Sequence, residues 1–273
     1  MPGTLYVVAT PIGNLADSSP RSLEVLRSAS VVACEDTRTT RALLARHGIA
    51  ARTVALHEHN ERAASAKLLQ ALRSGSDVAL VSDAGTPAVS DPGALLVGAA
   101  HRDGLRVVPV PGPSAALAAY SASGFGGGRF LFLGFPDSSP EKMLELLDAP
   151  WPVILYEAPH RIMKTVAALA SFLGPEREVV IARELTKKFE EVARMRLGEA
   201  AAWLDAGPHR QQGEFVLVLG AGAPQAADPL AEGKRVLGIL LEVLPPGEAA
   251  RTAARISGAP RNALYRIAVG RNQ

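Results

Sequence analysis

Three turns rich in glycine and proline hold the residues best suited to grip a ligand: Thr10-Pro11-Ile12-Gly13-Asn14, the stretch 82–93, and Pro111-Gly112-Pro113-Ser114. Each follows a short apolar run. Each therefore falls at the carboxyl end of a strand, where open α/β sheets bind ligands. One such turn alone is most simply a tight strand-to-helix connection. Three of them build one sheet edge around a ligand. None carries a phosphate cradle of the G-x-G-x-x-G or Walker type, and prolines stand where a cradle presents backbone N–H groups. The pattern suits a nucleoside without phosphates better than NAD or ATP.

Other reactive side chains are few. Cys34 is the only cysteine, which excludes a disulfide framework and a zinc site built on paired cysteines. No metal is expected. The apolar stretch 29–33 before it reads Cys34 as a small buried hydrophobe rather than a nucleophile. Glu35, Asp36 and Arg38 follow at once, a charged run leaving a short strand.

The elements that must position these residues alternate between strand and helix, which predicts an α/β fold with parallel strands. Strands are expected at 5–9, 31–33, 53–56, 77–81 and 106–110, with helices over 19–27, 39–47, 61–73, 94–102 and 114–121. Pro20 suits a first helical turn, Gly48 a helix end, and Ser114 an N-cap. Three consecutive glycines within 124–128 read as a domain hinge. Beyond it, strands are expected at 130–134, 152–156, 178–182 and 214–220, with helices over 140–147 and 161–172. Residues 222–229 read as a linker to a helical tail. The expected domains are 1–123 and 124–222, both α/β, and 228–273, helical.

The chain has 273 residues, 48% of them hydrophobic, enough for two modest cored domains or one α/β unit with an appendage. No apolar run approaches the ~20 residues that span a bilayer, and Met1-Pro2-Gly3-Thr4 lacks the basic start of a signal peptide. The expectation is a cytoplasmic protein away from membranes. Net charge is only +2, but residues 228–273 hold seven Lys/Arg against four Asp/Glu, leaving 22 basic and 23 acidic groups elsewhere. The basic excess sits in the tail.

A series of segments makes a specific resemblance. Leu5-Tyr6-Val7-Val8-Ala9-Thr10-Pro11-Ile12-Gly13-Asn14-Leu15 is similar to the opening of the ribosomal RNA small-subunit 2′-O-methyltransferases, a branch of the tetrapyrrole methylase superfamily. Cys34-Glu35-Asp36-Thr37-Arg38, Ser82-Asp83-Ala84-Gly85-Thr86-Pro87, Ser90-Asp91-Pro92-Gly93 and Pro111-Gly112-Pro113-Ser114-Ala115 continue it in the family's order. So do Tyr156-Glu157-Ala158-Pro159-His160-Arg161 and Arg183-Glu184-Leu185-Thr186-Lys187. The resemblance covers residues 4 to about 220 well and the tail more loosely.

The resemblance implies two α/β domains flanking a cleft that holds S-adenosylmethionine, a homodimer, and a target cytidine in the decoding region of 16S rRNA within the small ribosomal subunit. It implies a cofactor site of Pro11, Asp83, Gly85, Thr86, Ser114, Ala115 and Ala158. The donor's carboxylate would suit Ser114 at a helix N-terminus. Asp83 would face the ammonium or a ribose hydroxyl, or else close its own loop. For the proton of the ribose hydroxyl the candidates are Glu35, Asp36 and a desolvated Lys187. Arg38 or Arg161 would hold a neighbouring phosphate. Each carboxylate has the alternative of a salt bridge to a nearby arginine. His160 is an acid–base group or a helix cap.

In the tail, helix 247–256, turn 257–260 and helix 261–268 have the outline of a helix-turn-helix. Arg261, Asn262, Tyr265 and Arg266 would meet RNA, Tyr265 by stacking; the alternative is an α-hairpin that packs on the body. Two other functions stay open: carbon methylation of a porphyrin-like ring, disfavoured by the basic tail, and a non-catalytic ribosome assembly factor, which has no need of an intact set of cofactor loops.

Overall fold

The computed structural model describes residues 1–136, 143–222 and 229–270. They fall into two compact units, Met1–Ala221 and Gly222–Gln273.

The first unit opens with a sheet of β1 (Thr4–Val8), β2 (Val31–Cys34), β3 (Thr53–Ala55), β4 (Val78–Leu80) and β5 (Arg106–Val110). Its order is β3-β2-β4-β1-β5 and every pairing is parallel. Alternate residues face opposite sides. Leu5, Val31, Ala33, Val78 and Leu80 pack with α3 (Glu61–Arg73) and α4 (Ala94–Arg102). Val8, Val32, Cys34, Ala79 and Val110 pack with α1 (Pro20–Ser28) and α2 (Thr37–Arg46). Covered on both faces, these strands have no polar side, which is why they read as unbroken apolar runs. Cys34 is buried there, as its neighbours implied, and burial raises its thiol pKa.

The helices begin where the sequence supplies caps. The Ser19 hydroxyl accepts from Ser22 N at 3.0 Å ahead of Pro20, and Asp36 accepts from Arg38 N at 2.7 Å. Helix α4 starts at Gly93, which has no side chain for the task. Glu61 of α3 does it instead, accepting from Gly93 N at 2.8 Å and Leu95 N at 3.1 Å.

The second sheet contains β6 (Leu131–Gly134), β7 (Val153–Glu157), β8 (Glu178–Arg183), β9 (Glu191–Arg196) and β10 (Phe215–Leu219), ordered β6-β7-β10-β8-β9. Only β6 and β7 are parallel; β10 runs antiparallel to both β7 and β8, and β8 to β9. This corrects the expectation of parallel strands for the second half. Burial on both faces gives antiparallel strands the same apolar signature. Strand β9 and α8 (Leu197–Ala206) were not expected at all. Strand β9 is an edge, Glu-Val-Ala-Arg-Met-Arg, whose alternating charges hide it.

One face of this sheet is covered by α6 (Leu144–Leu147), α7 (Ile162–Leu173) and α8 through Leu147, Ile162, Val166 and Leu204. Residues 140–142 of the helix expected over 140–147 lie outside the described residues. The other face is covered by α5 (Ala115–Ser123), where Ala116 and Ala119 meet Ile154, Val180 and Val216. Helix α5 thus follows the last strand of the first sheet but packs on the second. Gly124 closes it in the left-handed conformation, φ 72°.

The second unit holds α9 (Pro229–Leu240), α10 (Pro246–Ser257) and α11 (Arg261–Gly270) around Leu237, Ala249, Ala253, Leu264 and Ala268. Gly258, φ 74°, ends α10 and allows the turn into α11. Among the described residues no helix is long and apolar enough to cross a membrane.

Candidate functional site

Two of the three turns are fastened together by backbone. Thr10 N donates to Gly85 O at 2.8 Å and Gly85 N to Thr10 O at 3.1 Å. The Thr10 hydroxyl adds a bond to Ser82 O at 3.1 Å. The third turn joins through the Thr86 hydroxyl, which donates to Pro113 O at 3.1 Å. The loop 82–93 holds two non-glycine residues in the left-handed region, Ala88 at φ 64° and Ser90 at φ 65°. Strain of this kind concentrates where a structure holds ligands.

Beside these turns lies a cavity of about 420 Å³, in the usual range for small-molecule sites. Ile12 and residues 83–86 and 89–91 line it from the first sheet, and Ser114 and Ala115 from the start of α5. Phe135, 156–159, Leu185 and 214–216 line it from the second sheet. The two sets approach closely: a Cβ on Gly134 would lie 2.8 Å from Ser90 Oγ. Glycine at that position is what lets Gly134 and Ser90 come so close.

Of the residues expected to hold the cofactor, Asp83, Gly85, Thr86, Ser114, Ala115 and Ala158 line the cavity, whereas Pro11 does not and its neighbour Ile12 does. Ser114 occupies the N-cap of α5, yet its side chain makes no cap bond. The Tyr156 hydroxyl accepts from Ala116 N at 3.3 Å in its stead. Asp83 Oδ1 accepts from Asp36 N at 3.0 Å, so this carboxylate also ties two strand ends together.

The expected catalytic residues separate. Asp36 and Arg38 pair with each other at 2.7 Å, with the Arg38 side chain 88% exposed. The Arg38 guanidinium holds the Asp36 carboxyl down to about 2, which leaves Asp36 ionised but a feeble base. Glu35 does not line the cavity. Burial first, and then Asp83, push its pKa up. Lys187 is bonded to Glu184 at 2.9 Å and Glu214 at 2.8 Å. Burial lowers its pKa, but these two carboxylates outweigh that and the pKa is raised. The structure therefore corrects the reading of Lys187 as a neutral base. It is a fixed cation that closes the loop 184–190, its Cγ only 2.4 Å from where a Cβ on Gly13 would stand.

Arg161 is likewise committed. It donates to Pro136 O at 2.6 Å and pairs with the fully buried Glu157 at 3.3 Å, so it braces this corner rather than offering a free cation. His160 is exposed. Among the described residues no group of three or more His, Cys, Asp or Glu is placed to hold a metal ion.

Asp91, Tyr156 and Glu157 line the cavity without having been singled out. All lie inside quoted motifs, which was the available signal. Asp91 carries the clearest perturbation. Burial first, then Glu35 and Asp83, lift its carboxyl to about 6, against a lowering hydrogen bond with Ser82.

In the second unit, Arg261, Asn262, Tyr265 and Arg266 are exposed on α11, as are Arg251 and Arg255 on α10. Among the described residues Arg251, Arg255 and Arg261 form no ion pair, which leaves cations free for a polyanion.

The model of the tetrapyrrole (corrin/porphyrin) methylases matches residues 4–201, and that of the RsmI C-terminal HTH domain matches residues 227–271. A ribosomal RNA small subunit methyltransferase I of Xylella fastidiosa is 48% identical over 268 residues, covering 97% of this chain and 98% of its own. The protein of the same name from Pseudomonas aeruginosa is 46% identical over 275 residues, covering 98% of each. Among solved structures, a uroporphyrin-III-C-methyltransferase from Thermus thermophilus superposes with a TM-score of 0.57 at 22% identity, over 89% of this chain and 99% of that one. Diphthine synthase does so with a TM-score of 0.61 at 19% identity, over 80% and 90%. At such identities the likeness is one of fold.

Proposed function

The chain belongs to the tetrapyrrole (corrin/porphyrin) methylases, and from that premise we propose that it transfers a methyl group from S-adenosylmethionine to ribosomal RNA of the small subunit. The acceptor is the ribose 2′-hydroxyl of a cytidine in the decoding region of 16S rRNA. The observation that carries this reading is that two matches occur in one chain: the methylase body over 4–201 and the helix-turn-helix tail over 227–271. The names of relatives up to 48% identical over nearly the whole length support it.

The cavity fits the donor. It has apolar walls at Ile12, Val89, Phe135 and Val216 for an adenosine, and a carboxylate at Asp83 for a cation. A phosphate cradle is missing, and this donor has no phosphate. When bound, the donor supplies a methyl group on a positively charged sulfur. The Thr10–Gly85 bridge and Thr86 hold the loops rigid, so the groups that face the donor need not be ordered on binding. Asp83 favours the cationic donor over its neutral product, which eases product release. Orientation of this kind supplies several kcal/mol, up to ~7–11 in well-aligned reactions.

The division into 1–123, 124–222 and 228–273 gives donor binding to the first two parts and RNA contact to the third, with Arg261, Asn262, Tyr265 and Arg266 meeting phosphates and an unpaired base. We place the enzyme in the cytoplasm as a homodimer; light scattering on the purified protein checks the second point.

The test is tritiated methyl transfer to small ribosomal subunits lacking the modification, beside bare 16S rRNA, with the product mapped. Label on one decoding-region cytidine, lost in Asp83→Ala, supports substrate and site together. Donor binding with no label on either RNA would refute the RNA assignment and leave a tetrapyrrole substrate or a non-catalytic role.

A further inference from the structure

Resting on that reading of the cavity, we propose that Asp91 is the general base that takes the proton from the acceptor hydroxyl during methyl transfer.

Position and availability single out Asp91 among the acids of the cavity. A base must lie in the cavity, ionise near neutral pH and have a free oxygen. Glu157 lines the cavity but is spent: it accepts from Ala158 N at 2.8 Å and from the Thr165 hydroxyl, and pairs with Arg161. Glu214 is tied to Lys187 at 2.8 Å. Asp83 Oδ1 accepts from Asp36 N, and its carboxylate is already given to the donor's cation. The Tyr156 hydroxyl accepts from Ala116 N, and its pKa is raised, by burial first. Asp91 remains. It is partly buried, lines the cavity, and has no ion-pair partner among the described residues; its partner is the Ser82 side chain.

Its surroundings are built rather than incidental. Ser90, immediately before it, is left-handed at φ 65°, and faces Gly134 of the second sheet across a gap too small for a Cβ. The carboxylate is thereby presented at the junction of the two sheets. The titratable groups that face it are Glu35 from the end of β2, Asp83 from the end of β4 and Tyr156 from β7. Two are acids, which is what lifts the Asp91 carboxyl to about 6 together with burial. A base of that strength is matched to neutral pH.

The step balances. The ribose O–H bond breaks and its proton goes to the Asp91 carboxylate. The freed oxygen pair forms a bond to the methyl carbon of the sulfonium donor. The carbon–sulfur bond breaks with its electrons going to sulfur, which becomes a neutral thioether. Asp91 then releases the proton to water.

The test uses the full chain. In ¹³C spectra of protein labelled at aspartate carboxyls, one signal should titrate near pH 6, vanish in Asp91→Asn, and shift to lower pH in Glu35→Gln. Transfer is then measured in single turnover at saturating donor and small subunits, with donor Kd measured separately. Asp91→Asn should slow transfer by ~10²–10⁴-fold with donor Kd changed less than threefold. Asp91→Glu should regain part of the rate. The rise of rate with pH through the Asp91 titration should disappear in Asp91→Asn. An unchanged rate, or a loss of donor affinity with an unchanged saturated rate, overturns the assignment, the second making Asp91 a donor ligand. If the unaltered chain binds donor and methylates no RNA, it is the RNA reading that fails, and the base falls with it.

Discussion

The carboxylates near the cavity differ in what their neighbours make of them. Asp36 has an arginine and a helix N-terminus, and sits at about 2. Asp91 has two acids and partial burial, and sits at about 6. The second case has a consequence for stability that needs no substrate. Because its folded pKa is raised above the unfolded value near 3.8, the folded chain holds a proton that the unfolded chain gives up. Asp91 costs the fold nothing at low pH. The cost appears as pH rises from about 4 to about 6 and is complete above that. Asp91→Asn is therefore expected to raise Tm at pH 7.5 by an amount worth on the order of 1–2 kcal/mol after allowing for water's access. The gain should shrink at pH 4.5; scanning calorimetry at the two values checks it, and an equal gain at both would refute it. At this scale the sequence was partly legible. Asp83, Thr86 and Ser114 could be named because they sit in the motifs that made the resemblance. Asp91 sits in one too, but its character depends on Glu35, which adjoins it only in the folded chain. Lys187 was misread because, beside the nearby Glu184, it is held by Glu214, which lies 27 residues on along the chain.

The elements show where pattern reading works and where it stops. Strands β1 to β5 were expected close to their actual bounds, since burial on both faces leaves an uninterrupted apolar signal. Strand β9 was missed because one side of an edge strand is wet and charged. The antiparallel pairings of β10 were missed because residue type does not encode strand direction. The N-cap position of α5 was legible at Ser114, although its side chain makes no cap bond, and the cap of α4 was missed because it comes from another helix. Glu61 is that case: it satisfies the first amides of α4 and supplies negative charge at a helix N-terminus. Glu61→Ala is expected to destabilise the first unit by about 1 kcal/mol. Glu61→Gln should keep part of the bonding and lose the charge effect, which falls with salt. Urea titration at two salt concentrations distinguishes the contributions, and an unchanged midpoint for Glu61→Ala would show that water replaces the cap.

For the molecule as a whole, the division into Met1–Ala221 and Gly222–Gln273 separates two cores, each with its own apolar set. Removal of residues 223–273 is expected to leave donor affinity within twofold, because every residue lining the cavity lies before that point. RNA affinity should fall, and its dependence on salt should flatten, as exposed Arg251, Arg255, Arg261 and Arg266 are lost. Calorimetry with the donor and filter binding of RNA across salt concentrations read the two effects. A truncated chain that loses donor binding would refute the separation.

In both sheets the strand that completes the core comes from far along the chain. Strand β1, made first, is flanked by β4 and β5, and β10, made last in the body, lies between β7 and β8. On a translating ribosome the body therefore has open strand edges until Leu219 has emerged. Until the central strand β10 inserts, β7 and β8 each present an open edge, the kind of edge that can pair with another chain.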